Sequence, residues 1–130
     1  MNIGQVAEAS GVSAKMIRHY EGSGFIPRAG RTVAGYRIYR DADVHMLRFI
    51  RRARDLGFSL REIKVLLALW TNRRRASGDV KRLVDKHVKD LDAKIAELQA
   101  MRRTLVNLAR HCHGDDRPDC PILDDLSGFH

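Results

Sequence analysis

The chain has 130 residues, 44% of them hydrophobic and only 6% aromatic, with a formal net charge of +8. That is enough for one modest domain, or for a small domain joined to an extended element. No apolar run approaches the roughly 20 residues that cross a bilayer, and Met1-Asn2-Ile3-Gly4-Gln5 lacks the basic start and apolar stretch of a signal peptide, so a cytoplasmic protein without membrane contact is expected. The charge is unevenly placed. Residues 1–75 hold 15 Lys and Arg against 6 Asp and Glu, a net of +9, whereas residues 76–130 hold 9 against 10, a net of −1. Such an excess on one half of a small protein points to a polyanionic partner, most simply nucleic acid.

Ile3, Val6 and Ala7 follow helical spacing up to Gly11, and Ser13 can cap a second helix running to about Glu21, with Ile17 and Tyr20 facing inward. Two short helices joined by Ser10-Gly11-Val12 form a helix-turn-helix pattern. Lys15 and Arg18 share the outer face of the second helix, where they can reach guanine edges or phosphates in a major groove. Gly24, Pro27 and Gly30 then break the helix, and Gly35-Tyr36-Arg37-Ile38-Tyr39-Arg40 alternates like a strand. Arg31, Tyr36, Arg37 and Tyr39 make this a basic, aromatic wing suited to holding a DNA backbone in register, although either tyrosine could be a packing residue.

Asp41 is expected to cap a third helix whose Val44, Leu47, Phe49, Ile50 and Ala53 supply core, while Arg48, Arg51, Arg52 and Arg54 stay outside. Arg54 joins the candidate DNA contacts. Ser59-Leu60-Arg61-Glu62 is a capping-box start for a fourth helix, which continues to a break at Arg73-Arg74-Arg75. The expected fold is therefore mostly α: residues 1–75 form a winged helix-turn-helix head with two extra helices.

From about Asp79 to His111 there is no Pro or Gly. Val84, Val88, Leu91, Ile95 and Leu98 alternate spacings of four and three, as a coiled-coil seam does. At ~1.5 Å per residue this rod is ~50 Å long. Nothing else in the chain is long enough to cover its apolar stripe, so antiparallel pairing with a second copy is expected over 76–111. The segment 112–130 then carries the only two cysteines, Cys112 and Cys120, on either side of one polar loop, followed by a short helix from Pro121 with Ile122, Leu123 and Leu126 on its apolar side.

Reduced cysteines in a cytosolic protein more often mean metal or redox chemistry than a structural disulfide. Thiolates are soft ligands for Cu(I), Zn(II) and similar ions, and two sulfurs across one ion suit two-coordinate Cu(I) or Ag(I). His111 and His113 are possible further ligands, or solvated loop residues. A DNA-binding head joined by a rod to a two-thiolate loop indicates a metal-sensing transcriptional regulator. There is no nucleophile–base pair, phosphate loop or carboxylate dyad to indicate an enzyme.

Over nearly its whole length the chain resembles the MerR family of regulators, in its copper-responsive (CueR/HmrR-type) branch. The resemblance rests on Ile17-Arg18-His19-Tyr20-Glu21, the wing Gly35-Tyr36-Arg37-Ile38-Tyr39, Leu56-Gly57-Phe58-Ser59-Leu60-Arg61-Glu62-Ile63, the rod, and Cys112…Gly114-Asp115-Asp116…Asp119-Cys120-Pro121-Ile122. It implies a homodimer on a near-palindrome in promoter double-stranded DNA. Metal would make that dimer kink and untwist the DNA, realigning −35 and −10 elements for RNA polymerase and so activating efflux or detoxification genes. Relatives that sense divalent ions carry a cysteine just before the dimerisation helix; this chain has Ser77 there. The resemblance therefore implies Cu(I), with Ag(I) or Au(I) able to substitute, held by Cys112 and Cys120. Ser77 would line the site, and Lys81 would offset its negative charge unless it simply pairs with Asp85. The competing readings are a divalent-metal (zinc-type) sensor of the same fold using His111 or His113, a thiol redox-responsive regulator, and a basic coiled-coil protein that coats DNA.

Overall fold

The computed structural model describes residues 1–130 apart from Arg73, Arg75, Asp116, Phe129 and His130. In chain order it contains α1 (Ile3–Ser10), α2 (Ala14–Gly22), β1 (Gly30–Arg31), β2 (Arg37–Ile38), α3 (Asp41–Asp55), α4 (Leu60–Thr71), α5 (Ser77–His111) and α6 (Pro121–Ser127). Two compact units result, Met1–Val80 and Lys81–His130, so the first residues of the long helix belong with the head.

The head is built from short helices with defined ends. Asn2 and Gln5 form a reciprocal capping box at α1: the Gln5 N–H donates to Asn2 Oδ1 at 2.8 Å, and the Asn2 N–H donates to Gln5 Oε1 at 2.9 Å. Gly11 closes α1 in the left-handed region at φ 74°, which a side chain would strain. The Ser13 hydroxyl accepts the Met16 N–H at 3.2 Å, and the Ser59/Glu62 box is present at 3.1 and 2.9 Å. α3 departs from expectation at its start. Asp41 is the first helical residue, Arg40 holds the cap position, and the Asp43 carboxylate accepts the Arg40 N–H at 2.9 Å. A carboxylate at the third helical position can fold back to the cap N–H, as in a capping box, whereas Asp41 at the first position is not the residue that does so.

Val6, Ile17, Leu47, Ile50 and Ile63 are fully buried, and Tyr20, Val44 and Leu67 complete a core to which each of the four head helices contributes. Each such side chain is worth about 1.5–3 kcal/mol relative to exposure. Phe49, expected in the core, is half-buried and stacks on Trp70 with ring centroids 4.8 Å apart, at the edge of the α3–α4 contact. The strands are only two residues each, pairing Gly30 with Ile38 and Arg31 with Arg37 in antiparallel register. A Thr32–Gly35 turn connects them, closed by Gly35 N–H to Thr32 O at 2.9 Å.

α5 runs unbroken over 35 residues, starting two residues earlier than expected and including Gly78. Along its seam Val84, Val88, Leu91, Ile95, Leu98, Met101 and Leu105 are 36–63% exposed. Pro121 opens α6 and Gly128 closes it at φ 81°. No described helix is long and apolar enough to cross a membrane. The expected break at Arg73-Arg74-Arg75 lies partly outside the described residues.

Candidate nucleic-acid interface and thiol loop

On α2, burial of Ile17 and Tyr20 turns Lys15 and Arg18 outward, and both are exposed. The turn before α2 is held from behind. Arg48 donates through Nε and Nη2 to the Ala9 carbonyl at 3.0 and 2.8 Å, satisfying an orphan acceptor at the end of α1. Arg54 is exposed, but its Nη1 donates to the Tyr20 hydroxyl at 2.8 Å, which fixes the guanidinium against α2.

The wing separates its two tyrosines. Tyr36 is 73% exposed at the turn. Tyr39 is 2% exposed and its hydroxyl donates to Glu21 Oε2 at 2.9 Å. Tyr39, named among the candidate DNA contacts, is thus packed inside the head, the alternative left open for either tyrosine. Both its backbone groups pair with Met1, at 2.7 and 2.9 Å. Burial and the hydrogen bond to Glu21 push the Tyr39 phenol above its ordinary range. Arg31 is exposed and donates to the Gly35 carbonyl at 2.9 Å. Arg37 is half-buried, with Nη1 3.6 Å from Glu21 Oε2.

Glu21 is the residue the sequence pattern did not single out. Besides Tyr39 and Arg37, it accepts the Ala29 N–H at 3.0 Å. Burial alone would raise its pKa, but hydrogen bonds from Ala29 and Tyr39 and the charges of Arg37 and Arg31 hold it below the ordinary carboxylate value. Its position near the C-terminus of α2, where the helix dipole disfavours an anion, was the available signal that it serves something other than its own helix.

In the second unit, Cys112 follows the last turn of α5, its N–H donating to the Ala109 carbonyl at 3.2 Å. Cys120 takes the cap position of α6 without capping it. Both are free thiols and half-buried. Between them Gly114 adopts φ 65°, and Asp115 clasps Arg117, accepting its N–H at 2.9 Å and its Nε–H at 2.8 Å. That clasp holds the Asp115 carboxyl below its usual range. His111 Nδ1 lies 2.7 Å from the Asn107 carbonyl, so one ring nitrogen is committed within α5, while His113 is exposed. Among the described residues no three or more His, Cys, Asp and Glu side chains gather into a metal-holding group. Cys112 and Cys120 would offer a metal two soft sulfurs, a donor chemistry that suits a soft monovalent ion. Asp116 lies outside the described residues. Ser77 is exposed at the first position of α5, and Lys81 Nζ pairs with Asp85 Oδ2 at 2.8 Å, both side chains in solvent.

A helix-turn-helix with a basic wing, followed by a long helix with an open apolar seam, is an architecture suited to a DNA-binding regulator. Two family models match, MerR HTH family regulatory protein over residues 1–69 and MerR, DNA binding over residues 44–108. The chain belongs to the MerR family of transcriptional regulators. It is 60% identical to the heavy metal-dependent transcription regulator 2 of Rhizobium meliloti, over 98% of this chain and 86% of that protein. It is 43% identical to the HTH-type transcriptional regulator CueR of Salmonella typhimurium, over 98% and 93%. The structure superposes on a Ralstonia metallidurans transcription regulator in complex with lead(II) at a TM-score of 0.85, with 33% identity, covering 97% of this chain and 98% of that one.

Proposed function

We propose that this protein is a metal-responsive transcriptional regulator, working in the cytoplasm as a homodimer on promoter DNA, whose signal is Cu(I) held by Cys112 and Cys120. The observation that carries the reading is the pair of free, half-buried thiols at the two ends of one loop, the first at the end of α5 and the second at the start of α6. An ion bridging two sulfurs ties those two helix ends together, which a regulator can use to favour one conformer over another. Ag(I) or Au(I) has the same two-coordinate preference and can substitute. Ser77 lines the site without adding a third sulfur. Lys81, already paired with Asp85, contributes at most a diffuse positive field.

The open seam from Val84 to Leu105 supports antiparallel pairing with a second copy, because a lone helix leaves that stripe in water. Lys15 and Arg18 on α2, with Arg31, Tyr36 and Arg37 on the wing and Arg54 behind α2, form the DNA-binding surface. The bound form distorts the promoter, paying deformation energy through backbone contacts, and RNA polymerase responds to the altered DNA.

Anaerobic titration of the reduced protein with Cu(I) and with Zn(II), each against a competing chelator, tests the reading. One Cu(I) per protomer, held far more tightly than zinc and lost in Cys112→Ser, is the expected result. Tight zinc with weak copper points to a divalent sensor using His111 or His113. If neither binds tightly, and oxidant changes the promoter complex, the two cysteines act as a redox switch.

A further inference from the structure

We propose that Glu21 is a positioning residue of the DNA-binding surface, a strut whose carboxylate ties the wing to α2 and holds the Arg37 guanidinium in place. Its side chain is only 9% exposed, and it reaches both edges of the wing. The Ala29 N–H, just before β1, donates to one oxygen at 3.0 Å, and the Tyr39 hydroxyl, just after β2, donates to the other at 2.9 Å. A two-residue ladder cannot fix its own angle to a helix, so these bonds set how the wing stands beside α2.

Arg37 completes the arrangement. Its Nη1 is buried, makes no hydrogen bond of good geometry among the described residues, and lies 3.6 Å from Glu21 Oε2. The side chain as a whole is 31% exposed. A guanidinium is a rigid planar fork, so one nitrogen drawn inward fixes the direction of the others. Arg18, Arg28, Arg31 and Arg37 together line a cleft of about 290 Å³ with Glu21 as its one acid. Four like charges repel, and the carboxylate lets them stay together in a shape that receives a phosphate group.

The proposal rests on Arg37 contacting DNA, and the test separates the two ideas. The full-length protein and its Arg37→Ala, Glu21→Gln and doubly substituted variants are titrated with a duplex that the unsubstituted protein selects from a random pool, at several salt concentrations. Arg37→Ala is expected to weaken binding and to lower the salt slope by about one. Glu21→Gln is expected to weaken binding about tenfold, within the usual range for contacting pairs, and to cost distinctly less when Arg37 is already alanine, the remainder acting through the rest of the wing. An equal loss in both backgrounds overturns the proposal, because it shows that Glu21 does not position Arg37. Unchanged affinity and slope in Arg37→Ala overturn the DNA-contact reading itself, and the proposal with it. Should Glu21→Gln fail to fold, nitrogen relaxation of the arginine Nε–H groups in the unsubstituted protein decides. Arg37 is expected to be rigid beside a mobile, exposed Arg28, and equal mobility overturns the strut.

Discussion

The two units differ in where their apolar and polar groups find partners. Between Met1 and Val80 a core that includes Val6, Ile17, Leu47, Ile50, Ile63 and Leu67 is buried, and several arginines lie against other groups of the head: Arg48 on Ala9, Arg54 on Tyr20, Arg37 beside Glu21. Between Lys81 and His130 the seam of α5 and the apolar side of α6 stand in solvent, with Leu123 64% and Leu126 71% exposed. The first unit closes its own core. The second presents two free thiols and an exposed apolar stripe. A regulator has reason to be built this way, since the part that reads DNA must keep its shape while the part that reads the signal must change.

The largest effect expected is on the thiols. Cys112→Ser or Cys120→Ser should abolish the response to Cu(I), with an affinity loss beyond the 10–100-fold that even outer-shell partners of a metal are worth. DNA affinity of the metal-free protein should stay within about twofold, because the head is a separate compact unit. Copper-dependent transcription in vitro, read beside DNA binding, checks both halves; full induction by either variant would sink the two-ligand site. Ser77→Cys sharpens the same point by adding a sulfur, and a zinc response should appear. No gain would place selectivity elsewhere.

Next come two leucines with opposite surroundings. Leu47 is fully buried in α3, and Leu47→Ala should cost the head about 2–5 kcal/mol in urea unfolding. Leu98 is 63% exposed on α5, so Leu98→Ala should leave head stability nearly unchanged and instead raise the monomer fraction in sedimentation. Equal destabilisation of the head by both would mean that the two units do not behave as the comparison requires.

A smaller effect belongs to the DNA face. Lys15→Ala and Arg18→Ala each remove one outward charge from α2. Where the lost contact is to phosphate, the salt slope should fall by about one and binding should weaken across sequences alike. A change confined to one base position would make the residue a base reader instead.

These differences also mark how far the sequence could be read. Ser13, Ser59-x-x-Glu62, Gly11 and Pro121 announce helix ends through local hydrogen bonds and backbone limits, and those elements are present. The spacing of Val84, Val88, Leu91 and Ile95 announces the long helix because 3.6-residue periodicity survives without tertiary context. Asp41 and Asp43 both suit a helix start, and only the backbone shows which one reaches the cap. Tyr36 and Tyr39, three apart on an extended segment, had to face opposite sides, yet alternation alone does not say which goes in. The role of Glu21 was unreadable for another reason. Its partners lie 8, 16 and 18 residues away, and a glutamate near a helix end reads as a solvated charge until the wing is folded onto it. For the thiol loop the sequence supplies two candidate donors, and their spacing along the chain does not fix their distance in the fold.

The smallest expected effect separates the acids of the two units. Glu21 is held below the ordinary carboxylate range in the folded head, so the unfolded chain binds more protons as that range is entered. Its contribution is therefore fully present above the unfolded value and is lost as pH falls through the folded one. Asp115 is shifted in the same direction by Arg117, but both side chains stand in solvent, where such pairs contribute little. Urea unfolding followed from about pH 6 to about pH 3, across the ordinary carboxylate range, should show a loss of head stability that Glu21→Gln flattens and Asp115→Asn leaves alone. If Asp115→Asn flattened it as much, the ion pair in the loop would be bearing on the stability of the head, and the division between a self-contained reader and an open sensor would have to be redrawn.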